Sequence, residues 1–324
     1  MIPAEPAPNT DDARSGLAQV ALAGLIWGSI PIVLRAADGA SIIKVFYRVF
    51  FAAATVLLIM AATGRLREVT GLGRRKLGQV AVQGAILTLN WVFFLSALDM
   101  TSVATAELLG YTGPVFVAAF APFVTGESFD RRILVPLALS LGGIVVILAP
   151  QGLSLGSGRE TWGALLAFAS AITYATLLLR SKNILRGISG LSLMLIEYSV
   201  ASVLLIPFVV WLYSHGRGPT SARSYAALLI LGVVHTALTG IIFLGGLRRV
   251  RTDRAAVLTY AEPVSAVVLA ALFLGEPMTA ATVVGGAMVV FGGIVVSRLE
   301  PPEERVPVSL EAAGAEASDE AYTR

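Results

Sequence analysis

Four charged residues lie well inside stretches that are otherwise apolar: Arg48, Glu107, Glu197 and Glu262. A charge in the hydrocarbon of a bilayer is costly, so it normally faces a cavity or a partner and marks a site by default. Arg48 shares a helical face with Lys44, Ala52 and Thr55, and Glu107 shares one with Tyr111, Pro114 and Ala118. Counted from the outer ends of their segments, both are roughly 8–10 Å deep. They are placed to pair with each other, or to hold the carboxylate and amine of a substrate between them. Glu262 lies roughly 10 Å from the opposite face, with Glu197 at similar depth. Two carboxylates in one low-dielectric half are proton-coupling candidates. The alternatives are a hydrogen-bonded support for a kink at Glu262 and snorkelling of Glu197 to the interface.

Neutral polar and aromatic residues extend this set. Trp27 shares a face with Pro31; Gln79, Gln83 and Asn90 form one stripe; His235 and Thr239 share a face, with Thr236 alongside. Tyr111 and Tyr260 each precede a proline, Pro114 and Pro263, and Tyr174 is expected to join them. Trp27, Arg48, Asn90, Glu107, Tyr111, Tyr174, His235, Thr239 and Tyr260 are therefore expected to bind substrate. Aromatic walls with a few amides and hydroxyls suit a small amphipathic organic molecule better than a bare ion. A buried histidine is also a common hydrogen-bonded core residue, and that reading of His235 stays open.

The elements that position these residues follow from composition. The chain of 324 residues is 56% hydrophobic and 14% charged, with mean hydropathy +0.79, which is the profile of a polytopic membrane protein in a lipid bilayer. Ten segments are long and apolar enough to cross: roughly 17–35, 41–62, 77–98, 102–124, 132–149, 160–179, 190–213, 225–247, 255–274 and 278–298. The start of the chain lacks a basic run and cleavage site, so the first segment is expected to be retained. No cysteine and only two histidines argue against disulfides and a histidine metal site. No cofactor, metal or nucleic-acid partner is expected.

Two stretches repeat. Tyr111, Pro114, Val115, Ala121, Gly126 and Glu127 recur as Tyr260, Pro263, Val264, Ala270, Gly275 and Glu276, each 149 residues later. Phe94, Leu95 and Leu98 recur at the same offset, and the Gly142–Val146 run GGIVV recurs at Gly292–Val296, one residue further on. This is a tandem duplication, divided as a tail at 1–16, a first unit at 17–149, a linker at 150–159, a second unit at 160–298 and a disordered tail at 299–324. Proline within a helix frees the carbonyl four residues earlier, here Gly110 and Thr259, and protein or water must then satisfy it. Kinks at Pro114 and Pro263 are expected to line something polar. Gly285, Gly286, Gly292 and Gly293 are read as close helix packing or a homodimer contact.

With the N-terminus inside, the inside loops carry fourteen Lys and Arg and the outside loops three, plus the borderline Arg35 and Lys44. That bias places both termini in the cytoplasm. Five helices per unit is odd, so the two copies insert with opposite topology, a recurrent plan of secondary transporters. The fold expected is all-α, ten transmembrane helices in two inverted five-helix repeats. A cavity is expected between helices 1, 3, 4, 6, 8 and 9.

LIWGSIPIVL, FYRVFFAAATVLL, the paired proline-to-Gly-Glu stretches and the closing GGIVV elements together resemble the drug/metabolite transporter superfamily. The resemblance is closest to its ten-helix EamA branch of bacterial inner-membrane proteins and covers residues 17–298. Glu262-Pro263 matches that family's habitual Glu-Pro, whereas the first copy has Gly113 there. The resemblance implies a multi-pass protein of the bacterial plasma membrane that exports amino acids, metabolites or drug-like compounds, cargo unspecified. A channel-like facilitator or a passive scaffold are the competing classes. The chain shows no Ser/His/Asp or HExxH cluster for an enzyme and no Walker A motif for ATP-driven transport.

Overall fold

The computed structural model describes residues 10–153, 156, 158–275 and 278–299. Residues 1–9 and 300–324 of the expected tails, residues 154, 155 and 157 of the expected linker, and Glu276 lie outside them. The described residues form helices and no strand. Ten helices are long and apolar enough to cross a membrane: α1 (Asp11–Leu34), α2 (Ser41–Ala62), α3 (Arg74–Met100), α4 (Val103–Val124), α5 (Arg131–Leu148), α6 (Gly158–Ile184), α7 (Gly190–Ser214), α8 (Ala222–Arg249), α9 (Thr252–Leu274) and α10 (Ala280–Arg298).

Several helices run past their apolar limits. The expected third segment, 77–98, is really 74–100, and the sixth, 160–179, is 158–184. Arginine and lysine at these ends reach water on long stems, so the helix continues beyond the hydrocarbon. Hydroxyl caps start four helices: Ser102, Ser189, Ser221 and Thr279 each accept the amide three residues on. Gly126 and Gly275 follow the ends of α4 and α9 with φ of 75° and 69°. These left-handed positions suit glycine, which explains the repeated glycine as a helix stop.

The main pairings are α1 with α8, α3 with α6, α2 with α7, and α5 with α10, while α4 packs on α6 and α9 on α1. Shifting every helix number by five converts this set into itself, which is consistent with two related five-helix units. Between α5 and α10 the backbones touch. A Cβ on Gly143 would run into the Gly285 carbonyl, and one on Gly292 into Ser140. Gly285 and Gly292 thus serve packing within the chain, not a dimer contact. Gly286 and Gly293 face more open space, with Val264 at 3.8 Å and Leu258 at 3.7 Å from such a Cβ.

Candidate functional site

Four crossing helices are irregular. α4 is helical over Val103–Gly110 and again over Gly113–Val124. α9 divides into Thr252–Leu258 and Ala261–Leu274. In both, a proline at the start of the second piece lacks the amide that would continue the ladder. α1 divides likewise into Thr10–Trp27 and Ile30–Leu34, with Pro31 at the restart. In α8 the turns widen to a π-helix over Leu231–Leu238, a feature often found at functional sites.

These irregularities bond to one another. The Tyr260 hydroxyl donates to the Tyr111 carbonyl at 2.6 Å, joining the α9 break to the α4 break. Trp27 Nε1 donates to the His235 carbonyl at 2.8 Å, joining α1 to the wide turn of α8. Ser29 Oγ lies 2.8 Å from His235 Nε2, and Ser265 Oγ donates to the Leu25 carbonyl at 2.8 Å. Side chains thus satisfy carbonyls released by the broken ladders, as a lipid-surrounded chain requires. The Tyr111 and Tyr260 rings meet with centroids 6.2 Å apart, and the Tyr174 hydroxyl lies 3.2 Å from Thr259 Oγ1.

Arg48 stands beside this knot. Its Nε donates to Thr236 Oγ1 at 2.7 Å, and its guanidinium sits 4.8 Å over the Trp91 ring, a cation–π contact. Thr236 passes its own proton to the Leu231 carbonyl at 2.8 Å, so its oxygen is free to accept from Arg48. Tyr198, Glu262 and His235 lie within electrostatic reach of Arg48. Glu262 also reaches Glu107, and Tyr111 reaches Glu107, Glu262, Tyr174 and Tyr260. Arg48, Glu107, Tyr111, Tyr174 and Glu262 are all half-buried, while Tyr260 is fully buried.

Of the two readings offered for Arg48 and Glu107, no direct pair is formed; the carboxylate within electrostatic reach of Arg48 is Glu262. Counting depth from helix ends assigned Glu107 and Glu262 to opposite halves. In the fold, Glu107 lies one turn before the α4 break and Glu262 just after the α9 break, and the two breaks touch. Glu197, the other proton-coupling candidate, lies apart from Glu262. Glu197 reaches Tyr198, and its backbone lies where α7 crosses Gly84 of α3.

Other polar residues are committed to helix contacts. Asn90 gives its amide protons to the Ser170 carbonyl at 2.7 Å and Thr173 Oγ1 at 3.0 Å. Gln83 donates to the Leu177 carbonyl and Ser181 while accepting from Arg180. The stripe on α3 is a polar seam to α6, of the kind that joins helices in lipid. Thr239 bonds back to the Val234 carbonyl at 2.8 Å. His235 is buried against Ser29 and Trp27, within electrostatic reach of Arg48. α2 and α7 contribute to the cluster alongside the six helices expected. Trp91 and Tyr198 were missed; Tyr198 adjoins Glu197, and one helical step turns it from the α3 seam toward Arg48.

At the face where α1 begins and α10 ends, the two halves are tied together. The Glu127 carboxylate accepts the Thr252 amide at 3.0 Å and its hydroxyl at 2.8 Å, capping α9. Arg251 donates to the Ser128 carbonyl at 2.7 Å, and Arg186 to that of Thr125 at 2.8 Å. In the first copy, Gly126-Glu127 is thus a helix stop followed by a cap for the other half.

Broken helices meeting around buried charges inside a ten-helix bundle define a membrane transporter. Models of the EamA-like transporter family match residues 14–149 and 161–298, and the chain belongs to that family. An uncharacterized transporter of Archaeoglobus fulgidus is 28% identical over 285 residues, covering 88% of this chain and 97% of that one. The protein RarD of Streptomyces exfoliatus is 27% identical, covering 83% of each. A pseudopaline exporter of Pseudomonas aeruginosa is 26% identical over 258 residues, covering 78% of this chain and 85% of the exporter. A crystal structure 20% identical superposes with TM-score 0.76 over 87% of this chain and 97% of its own, which speaks to the fold. The family and these relatives place the chain among transporters rather than enzymes, spanning a membrane many times.

Proposed function

We propose that this protein is a secondary transporter that exports a small zwitterionic or amine-bearing metabolite by alternating access. The observation that carries this reading is the half-buried Arg48, bonded to Thr236 and set over Trp91, with Glu262 within its electrostatic reach and Glu107, Tyr111 and Tyr174 within reach of Glu262. Such a site offers a cation for a carboxylate, carboxylates for an ammonium, and aromatic walls for an apolar body. Its position where two breaks meet lets a small rearrangement expose it to either face. The ties from Glu127, Arg251 and Arg186 would close the face where α1 begins and α10 ends, which the loop charges assign to the cytoplasm. The exporter among the relatives favours outward transport.

Glu262 is the residue we assign to proton coupling, because both Arg48 and Glu107 lie within its electrostatic reach. Protonating it removes the negative charge within reach of Arg48 and frees that guanidinium for cargo. The test is flux in proteoliposomes across a panel of amino acids and amines, with and without an imposed pH gradient. Saturable flux driven by the gradient, with E262Q still binding cargo but no longer accumulating it, is the expected result. Gradient-driven accumulation by E262Q equal to that of the parent would remove proton coupling through Glu262. Unsaturable flux would make the protein a facilitating channel.

A further inference from the structure

A groove of about 810 Å³ runs between α1, α9 and α10. Leu17, Leu25, Val264 and Ile294 are among its apolar walls, and Arg14, Arg254 and Arg298 stand at one end. The three arginines come from the first turn of α1, the first turn of α9 and the last residue of α10. In a ten-helix chain these three points share one face of the membrane.

We propose that this groove is a binding site for an anionic phospholipid, with its phosphate on the arginines and an acyl chain along the apolar walls. Dimensions support it. From Arg14 to Leu25 the α1 wall runs about 16 Å, and one leaflet of the hydrocarbon core is about 15 Å deep. Charge supports it as well. Arg254 is buried, donates to the Leu299 carbonyl and lies 4.0 Å from Asp130, so its role is to shape the mouth. Arg14 and Arg298 are exposed, and among the described residues neither has a hydrogen-bond acceptor or a carboxylate partner. Asp11 and Asp12 share the first turn with Arg14 and point their charge into water without an ion pair to it. A guanidinium matches phosphate geometry with two parallel donors, and basic clefts between helices at the cytoplasmic leaflet are suited to anionic headgroups. Leu258 and Ala261 flank the α9 break and line the groove, so the lipid lies against the outer side of the segment that carries Tyr260.

The test is native mass spectrometry on the full chain, purified in neutral detergent and stripped of lipid. The probes are dioleoyl phosphatidylglycerol, dioleoyl phosphatidylcholine and glycerol 3-phosphate. Retention of one phosphatidylglycerol in preference to phosphatidylcholine is expected, with R14Q/R298Q losing roughly thirtyfold in affinity. G293F fills the groove without touching a charge and should also expel the lipid. Equal retention of both lipids, unchanged preference in R14Q/R298Q, or full retention by G293F each overturns the proposal. Glycerol 3-phosphate bound as tightly as the lipid would make this a site for a free anion. Lipid-free dimers that G293F dissolves would assign the groove to a second copy. Either result overturns the lipid as occupant.

Discussion

At the scale of single residues, the site turns on how Arg48 is held. Its hydrogen bond to Thr236 and its place over Trp91 hold the guanidinium within electrostatic reach of Glu262. Removing one member of a desolvated charge arrangement leaves the other stranded, so R48A is expected to weaken cargo binding by about 2–5 kcal/mol, roughly thirtyfold or more. Titrating cargo into purified protein by calorimetry checks this, and R48K should not restore it, because an ammonium cannot replace a planar fork stacked on indole. The individual charges were legible in the sequence, since a buried charge stands out from apolar neighbours. Their partners were not. Depth along a straight helix is a poor coordinate once α4 and α9 break, and neighbours such as Tyr198 depend on how α7 is rotated.

At the scale of elements, the ten crossings and the two proline breaks follow from local sequence, because apolar length and a missing amide act locally. The break in α1 and the wide turn in α8 were not foreseen. Pro31 lies so near the end of its segment that it reads as a terminus, and the residues of Leu231–Leu238 carry no breaker but Gly232. The packing seam between α5 and α10 separates neighbouring glycines by role. G285V drives a side chain into the Gly143 carbonyl and Ile147, and is expected to destabilise by about 1–3 kcal/mol or more. G286V meets only Val264 at 3.8 Å and should be tolerated. Thermal unfolding in detergent separates the two; equal loss in both would mean that the seam is not as close as described.

At the scale of the whole molecule, topology and the ties between its ends govern behaviour. Reporter fusions at Gln151 and Ser221 are expected outside and one at Arg74 inside; an external reading at Arg74 would reverse the assignment of the ends. At the face away from the start of α1, Asp38 accepts hydrogen bonds from the amide and hydroxyl of Thr220, and Ser224 bonds its backbone amide. Hydrogen bonding to Ser224 and Thr220 holds the Asp38 carboxyl down at about 2, below its ordinary 3.8. A depressed carboxylate contributes stability above its unfolded value and loses it as pH falls through the folded one. The contribution is therefore whole at neutral pH and fades between 3.8 and about 2. Parent protein should lose stability more steeply across that window than D38N, measured by unfolding at stepped pH; parallel curves would show that the tie contributes nothing.

The bond from Tyr260 to the Tyr111 carbonyl joins a residue to its own copy 149 positions earlier. Two like partners face to face can donate in either direction, and only one direction is made. The reverse bond would run from the Tyr111 hydroxyl to the Tyr260 carbonyl. If the halves exchange shapes during transport, donor and acceptor exchange here too. Y260F then removes the bond from the present setting and Y111F from the opposite one. With cysteines placed near each face as reporters, the two variants should shift labelling in opposite directions. Shifts of the same sign would show that this contact is a fixed rivet rather than a reversible switch.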